Sequence, residues 1–447
     1  MKKVQQLCVV LVLFLGITIT ARSQQSASPP AHAVINAIIH FNSGKTLEGG
    51  AIVWRDGIIK AVGKKINIPF DAFVIDAGDS LHVYPGFIDG LALWGSPGRP
   101  DVEAPDRPGN PGYERAGIQP QRQPNQVLEK SEIFEKAQKQ GFTTAAIGLE
   151  GEMLPGQVDV FSISGKDKQQ LLKKGIAVLA QFKAARGSAY PSTIMGLMAK
   201  YRQLFYNAKG LQTHIQYYQE VAKGYPAPER SAVLEALFPV RNNKIPFYFV
   251  ADSKEDIQRI YWLQDELGFD FVLVSGKNAY EQAKSLKSKN IAVLASIELP
   301  EEPEWRDKQK EKGLSKEERH FRQRQGEAYD ADIRNVKKLV EAGVKAGYAS
   351  NGMKLKEFPE YIRTLHEDAG LSEQDILQLL TNDTAEILGV GNRIGRLKKG
   401  YIASFSVFTE PFLEKKAQVL YSISNGSITE FNVEPKSKDS EDKEEYL

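Results

Sequence analysis

Cysteine is almost missing from this chain, with one in 447 residues, Cys8. Histidine is scarce, with six. No excess of either charge is present: 58 basic residues face 56 acidic ones. Beyond the N-terminus, no apolar run approaches the roughly 20 residues a membrane-spanning helix needs. Each shortage excludes something. The near balance of charge argues against a nucleic-acid or anionic-membrane surface. The lone cysteine excludes an internal disulfide framework. Six histidines, thinly spread, leave little material for a histidine-rich metal site.

What is present begins at the N-terminus. Lys2 and Lys3 precede the apolar run Leu7 to Ile19, "LCVVLVLFLGITI", and small residues follow at Ala21 and Ser23. This is the pattern of a secretory signal peptide over residues 1–23. Its removal takes three of the 58 basic residues and none of the 56 acidic ones, leaving a formal charge of −1. It also removes Cys8, so the mature chain has no thiol nucleophile. A periplasmic or secreted location follows as an expectation, with no membrane span after cleavage.

Residues 24–32 read as a polar linker. From Val34 to Tyr84 the chain carries short strand signals, "VINAIIHF", "GAIVWR", "IIKAVG", "AFVIDA" and "LHVYP". Asp56-Gly57 lies between two of them and predicts a tight hairpin. Ser96 to Asn125 is rich in Pro, Gly and Arg and reads as a long loop or a disordered stretch. A helix is then predicted over Val127–Lys139, followed by a strand at "TTAAIGL". Further on, strands and helices alternate: "IPFYFVA" with Lys254–Leu267, "FDFVLVS" with Tyr280–Ser288, "NIAVLAS", then "VKAGYAS" with Phe358–Asp368. Such alternation predicts βα units around a parallel sheet, with room for eight between 85 and 388. Gln309–Glu327 reads as a solvated helix. Strand signals return at "FSVF", "VLYSIS" and "SITEFNV", and residues 434–447 form an acidic tail expected to be disordered.

Three stretches carry a resemblance. "GAIVWRDGIIKAVG" is followed by "VIDAGDSLHVYPGFIDG", and "LSEQDILQLLTNDTAEILGVGNRIGRLKKGYIASFSVF" comes near the far end. In this order they resemble the amidohydrolase superfamily, in particular its imidazolonepropionase-like and dihydroorotase-like members. The resemblance implies an α/β fold, a TIM-type (β/α)8 barrel over 85–388. Beside it, a small β-sandwich would be formed by 33–84 plus 389–433.

The same resemblance implies a metal centre at the C-terminal mouth of the barrel. Its ligands would be a His-x-His after the first strand, one His each after the fifth and sixth, and an Asp after the eighth. Here the first pair reads Leu91 and Leu93, within "YPGFIDGLALWGS". The fifth-strand position, in "KIPFYFVADS", is Val250. In "VLVSGKNAY" the sixth-strand position falls on Lys277, and in "AGVKAGYASNG" the eighth falls on Asn351. Ser404 stands where the family has a structural Asp. Residues two apart in a strand face the same way, so Leu91 and Leu93 keep the geometry of the pair without its lone pairs. An amide is no general base at neutral pH. Of the histidines, only His214 lies where it could approach the mouth. "GVGNRIG", Gly389 to Gly395, lacks the strand and helix of a dinucleotide fingerprint.

Three functional readings follow, none with a catalytic residue assigned. The first is an exported, non-catalytic barrel acting as a binding or partner subunit, with an intact amidohydrolase paralogue or a second copy as partner. "RGSAYPSTIMGLMAKYRQLFYNA" (Arg186–Ala208) also resembles family members and favours that kind of partner. The second is a metal-dependent hydrolase of non-peptide C–N bonds with a reduced or relocated site, and zinc as its cofactor. In the third, a small ligand fills the emptied mouth, lined by Tyr84, Trp94, Asn351 and Tyr348.

Overall fold

Two alternating patterns of burial build two sheets. The computed structural model describes residues 29–432 apart from 99–108, 110, 130, 165–168, 188, 222–223, 225 and 307–313. The expected signal peptide, most of the linker and the acidic tail lie outside these residues. His32, assigned above to the linker, already opens a strand.

The first sheet contains β1 (His32–His40), β2 (Thr46–Arg55), β3 (Ile58–Gly63), β4 (Phe73–Asp76) and β5 (His82–Pro85). The predicted hairpin joins β2 to β3. Asp56 and Gly57 both take positive φ, 55° and 70°, as a two-residue turn between twisted antiparallel strands requires. Three strands from the other end of the chain, β14 (Phe405–Phe408), β15 (Val419–Ser424) and β16 (Ser427–Glu430), complete it. β14 pairs antiparallel with β5, so N- and C-terminal segments share one sheet. Ile39, Trp54, Val83, Phe405 and Ile423 form its buried core. The Trp54 indole N–H donates to the Gly426 carbonyl at 3.0 Å, which satisfies the one polar atom that ring buries.

The second sheet runs in sequence order through β6 (Phe87–Ala92), β7 (Phe142–Ile147), β8 (Gly156–Ser162), β9 (Gln170–Gln181), β10 (Phe247–Ala251), β11 (Phe271–Ser275), β12 (Val293–Ala295) and β13 (Ala346–Tyr348). This is the expected eight-stranded barrel with one departure. β8 runs antiparallel to both β7 and β9, while the remaining pairings are parallel. Backbone contacts bring β13 back to β6: the Asn351 N–H donates to the Leu91 carbonyl at 2.8 Å. A β-carbon on Gly90 would lie 2.4 Å from Leu294 Cδ2 and 2.6 Å from the Tyr348 carbonyl oxygen. Only glycine lets the two strands come this close.

Alternation sorts the side chains. Leu179, Tyr248, Val250, Val272 and Val274 face one apolar cluster inside the sheet. Phe247, Phe249, Phe271 and Leu273 pack outward against helices. The helices include α1 (Ile133–Lys139), α2 (Ile194–Glu220), α3 (Lys254–Leu267), α4 (Lys316–Ile333), α5 (Asn335–Glu341) and α6 (Phe358–Glu367). α3 spans the predicted residues. Ser253 caps it by accepting from the Asp256 N–H at 3.1 Å, and Gly268 ends it at φ 73°.

The helix expected over Val127–Lys139 is shorter. It begins only at Ile133, a separate single turn over Pro124–Val127 comes before it, and the chain is extended at Leu128. The Glu129 N–H is taken by the Gly95 carbonyl at 2.9 Å, so that backbone ties down the loop after β6 instead of continuing a helix. Within the Pro-rich stretch, Ala116 and Ile118 are fully buried. The described part of that stretch is thus a packed loop. The solvated helix expected over Gln309–Glu327 is α4, which runs later, over Lys316–Ile333, and is held at its start by a Ser315–Glu318 capping box; 309–313 lie outside the described residues.

Candidate functional site

The barrel mouth is reached from β6 upward. Leu91 is fully buried on β6, and Leu93 follows just after the strand. A β-carbon on Gly148, after β7, would lie 3.0 Å from Leu91 Cδ1 and 3.7 Å from Leu93 Cδ2. One on Gly352, after β13, would lie 3.9 Å from Leu93 Cδ1. The two leucines therefore fill the space between the ends of β7 and β13. Val250, half-buried, joins the same cluster from β10. Asn351 stands beside them through its bond to Leu91, with φ 42°, a left-handed conformation that Asn and Asp tolerate better than most residues.

Lys277 does not join these four. Ser275 and Gly276 both take positive φ, 72° and 55°, and end the alternation of β11. The chain turns outward, and the Lys277 ammonium pairs with Glu298 at 2.6 Å. It lines a separate cavity of about 310 Å³, together with Asp252, Ser296 and Asp332. His214, the one histidine placed near the mouth by sequence, sits on the outer half of α2, where its Nε2 lies 3.0 Å from the Pro226 carbonyl. Tyr84, Trp94 and Tyr348 are core residues. Tyr348 stacks on Phe142 at 5.6 Å, and Trp94 meets the same ring edge-on.

Directly beneath the leucines lies a carboxylate that the sequence reading passed over. Asp89 is fully buried. Its Oδ1 accepts from the Leu91 and Ser350 N–H groups, both at 3.0 Å, and so ties β6 to the end of β13. Its Oδ2 has no hydrogen-bond partner. Burial pushes the carboxyl up to about 7, although its hydrogen bonds pull the other way. Its place in "PGFID" was the available signal, since an acid inside an apolar strand must be held by donors.

A divalent metal in this fold would demand several nitrogen or oxygen ligands converging at one point. Leu91, Leu93 and Val250 offer none, and Asn351 offers one amide oxygen. Among the described residues, no group of three or more His, Cys, Asp or Glu side chains is placed to hold a metal ion. The side chains at the mouth do not fit the group.

The geometry defines an eight-stranded α/β barrel whose mouth is filled by apolar side chains. Residues 250–431 match the model of the amidohydrolase family. An amidohydrolase from Thermotoga maritima shares the fold, with 22% identity and a TM-score of 0.68 over 89% of this chain and 99% of that one. A prolidase complexed with N-methylphosphonate-L-proline (15% identity) and a Xaa-Pro dipeptidase with bound methionine (14% identity) each align at a TM-score of 0.52, over 90% of this chain and 100% of theirs. No curated protein matches the sequence. The match to the amidohydrolase family is thus carried by residues 250–431, and the solved structures share the fold of the chain as a whole.

Proposed function

We propose that this is an exported, non-catalytic amidohydrolase-like barrel, processed after Ser23, that serves as a binding or partner subunit. The observation that carries this reading is the filling of the mouth by Leu91 and Leu93, with Val250 in the same apolar cluster. A bound metal would supply a water of lowered pKa for attack on a carbonyl. This chain presents hydrocarbon at those positions, and its nearest buried acid, Asp89, is engaged by two backbone N–H groups. An intact amidohydrolase paralogue or a second copy of the chain fits the role of partner.

The test is elemental analysis of purified protein after dialysis against zinc and then metal-free buffer. Well under one zinc per chain is expected, because loss of several ligands should abolish affinity. One tightly held zinc per chain would return the reading to a hydrolase with a relocated site.

A small-ligand reading is favoured by one feature, the cavity at Lys277. It opens beyond the C-terminal ends of β10, β11 and β12, the end of the barrel where sites of this fold sit. Asp252 and Asp332 accompany the Lys277–Glu298 pair, and Ile333, Val336 and Leu365 supply an apolar wall. Burial raises the Asp332 carboxyl above its usual range. A small ammonium compound with an apolar body matches that lining. Butylamine is expected to raise the melting temperature of the parent but not of Asp252→Ala. Equal shifts in both would dismiss this reading.

A further inference from the structure

A second cavity lies at the opposite end of β6, where barrel and sandwich meet. Its volume is about 440 Å³. Four phenylalanines close its floor: Phe87 at the start of β6, Phe358 at the start of α6, Phe408 on β14, and Phe412 just beyond β14. Phe87 lies 5.5 Å from Phe412, 5.8 Å from Phe408 and 6.1 Å from Phe358, centroid to centroid. All four are buried. The floor is thus rigid and aromatic, and it is drawn from both sheets and a helix.

The rim has the opposite character. Lys139, Arg363 and Lys415 stand around the opening, with Glu414 as the one carboxylate among the lining residues. Lys139 is shared, pairing with Glu135 at 2.8 Å and lying 5.6 Å above the Phe431 ring. Arg363 and Lys415 make no ion pair with any described residue. Unpaired cations around an aromatic floor match a molecule with a negative head and an apolar body.

We infer that this cavity binds a small amphiphilic carboxylate, an alkyl or phenyl body carrying one carboxylate head. The body lies on the phenylalanine floor, and the head meets Arg363 and Lys415. Because the floor joins β6, α6 and β14, the ligand links barrel to sandwich and stabilises their contact. The site is separate from the barrel mouth and does not depend on the function proposed for the mouth.

The test uses the full mature chain with octanoate and 3-phenylpropanoate as probes. Octanol and 3-phenylpropanol serve as neutral counterparts, and octylamine as the cation. Calorimetry at low salt should show saturable binding of both carboxylates at one site per chain. The alcohols should bind at least about tenfold more weakly, since they bring no charge to meet Arg363 and Lys415. The double variant Arg363→Ala, Lys415→Ala changes only rim side chains. It should weaken octanoate at least about tenfold while leaving octanol unchanged. Raising the salt should weaken the carboxylates alone. Octanol or octylamine binding as well as octanoate would overturn the inference, and so would unchanged octanoate binding in the double variant.

Discussion

A chain carrying Leu91→His, Leu93→His, Val250→His and Asn351→Asp together is expected to melt far below the parent without zinc and to recover part of the loss with it. Leu91, fully buried, contributes roughly 1.5–3 kcal/mol, and the partly buried Leu93 and Val250 somewhat less each. Each polar group left without a partner costs a further 1–3 kcal/mol or so. The sum rivals the total stability of a typical domain, about 5–15 kcal/mol. Zinc at a thousand times its Kd would return about 4 kcal/mol. The backbone favours the outcome: Leu91, Leu93 and Val250 share one cluster, and the left-handed Asn351 accepts aspartate readily. Thermal melting of parent and variant, with and without zinc, decides it. A variant that zinc does not stabilise would mean that these four positions do not converge as a ligand set.

The second large effect belongs to Asp89. Asp89→Ala leaves the Leu91 and Ser350 N–H groups unpaired in the barrel wall. Below about pH 4, where the carboxyl is protonated in both states, a loss of about 2–6 kcal/mol is expected, at 1–3 kcal/mol for each orphaned donor, and the loss shrinks as pH rises through 7. Asp89→Asn keeps an oxygen for both donors and removes the charge, so its effect depends on pH. The folded carboxyl titrates at about 7 rather than 3.8. Between those values the folded chain holds a proton that the unfolded chain has lost. Stability from this group is therefore complete below about pH 4 and falls away as pH rises through 7, by on the order of 4 kcal/mol. Asp89→Asn should thus gain stability over the parent steadily between pH 5 and 8.

His40 works in the opposite direction. Burial, with His82 Nδ1 at 2.9 Å from its Nε2, lowers it to about 4. Its contribution is present above 6.5 and lost as pH falls towards 4. The parent's own curve is flattened by these opposed groups, so the difference between variant and parent at each pH is the quantity to measure. A difference that stays constant across this range would show that Asp89 is ionised in both states throughout.

Much of the barrel was legible because β10, α3, β11 and β13 each carry their own period and their own boundaries. Leu91, Leu93 and Val250 were named together through the resemblance, and the structure places them in one apolar cluster, where strand alternation accounts for the shared direction of Leu91 and Leu93. Lys277 fails because two consecutive left-handed residues, Ser275 and Gly276, cancel that alternation. The antiparallel β8 was not anticipated: direction within a sheet is set by pairing with distant neighbours, and "GQVDVFS" reads the same either way. The phenylalanine-floored cavity was equally hidden, since its walls come from residues scattered from Phe87 to Phe431 and assemble only in three dimensions.

The pairing of β5 with β14 has a consequence for the order of folding. Pro85 lies opposite Phe405, so the first strands made must wait for nearly the last. Closing so long a loop is slow, and such contacts form late. Until then β5 keeps a bare edge, open to wrong partners. For a chain exported as proposed, crossing a membrane before it folds, the delay is useful: the sequence withholds its final lock until both ends have arrived in the same compartment.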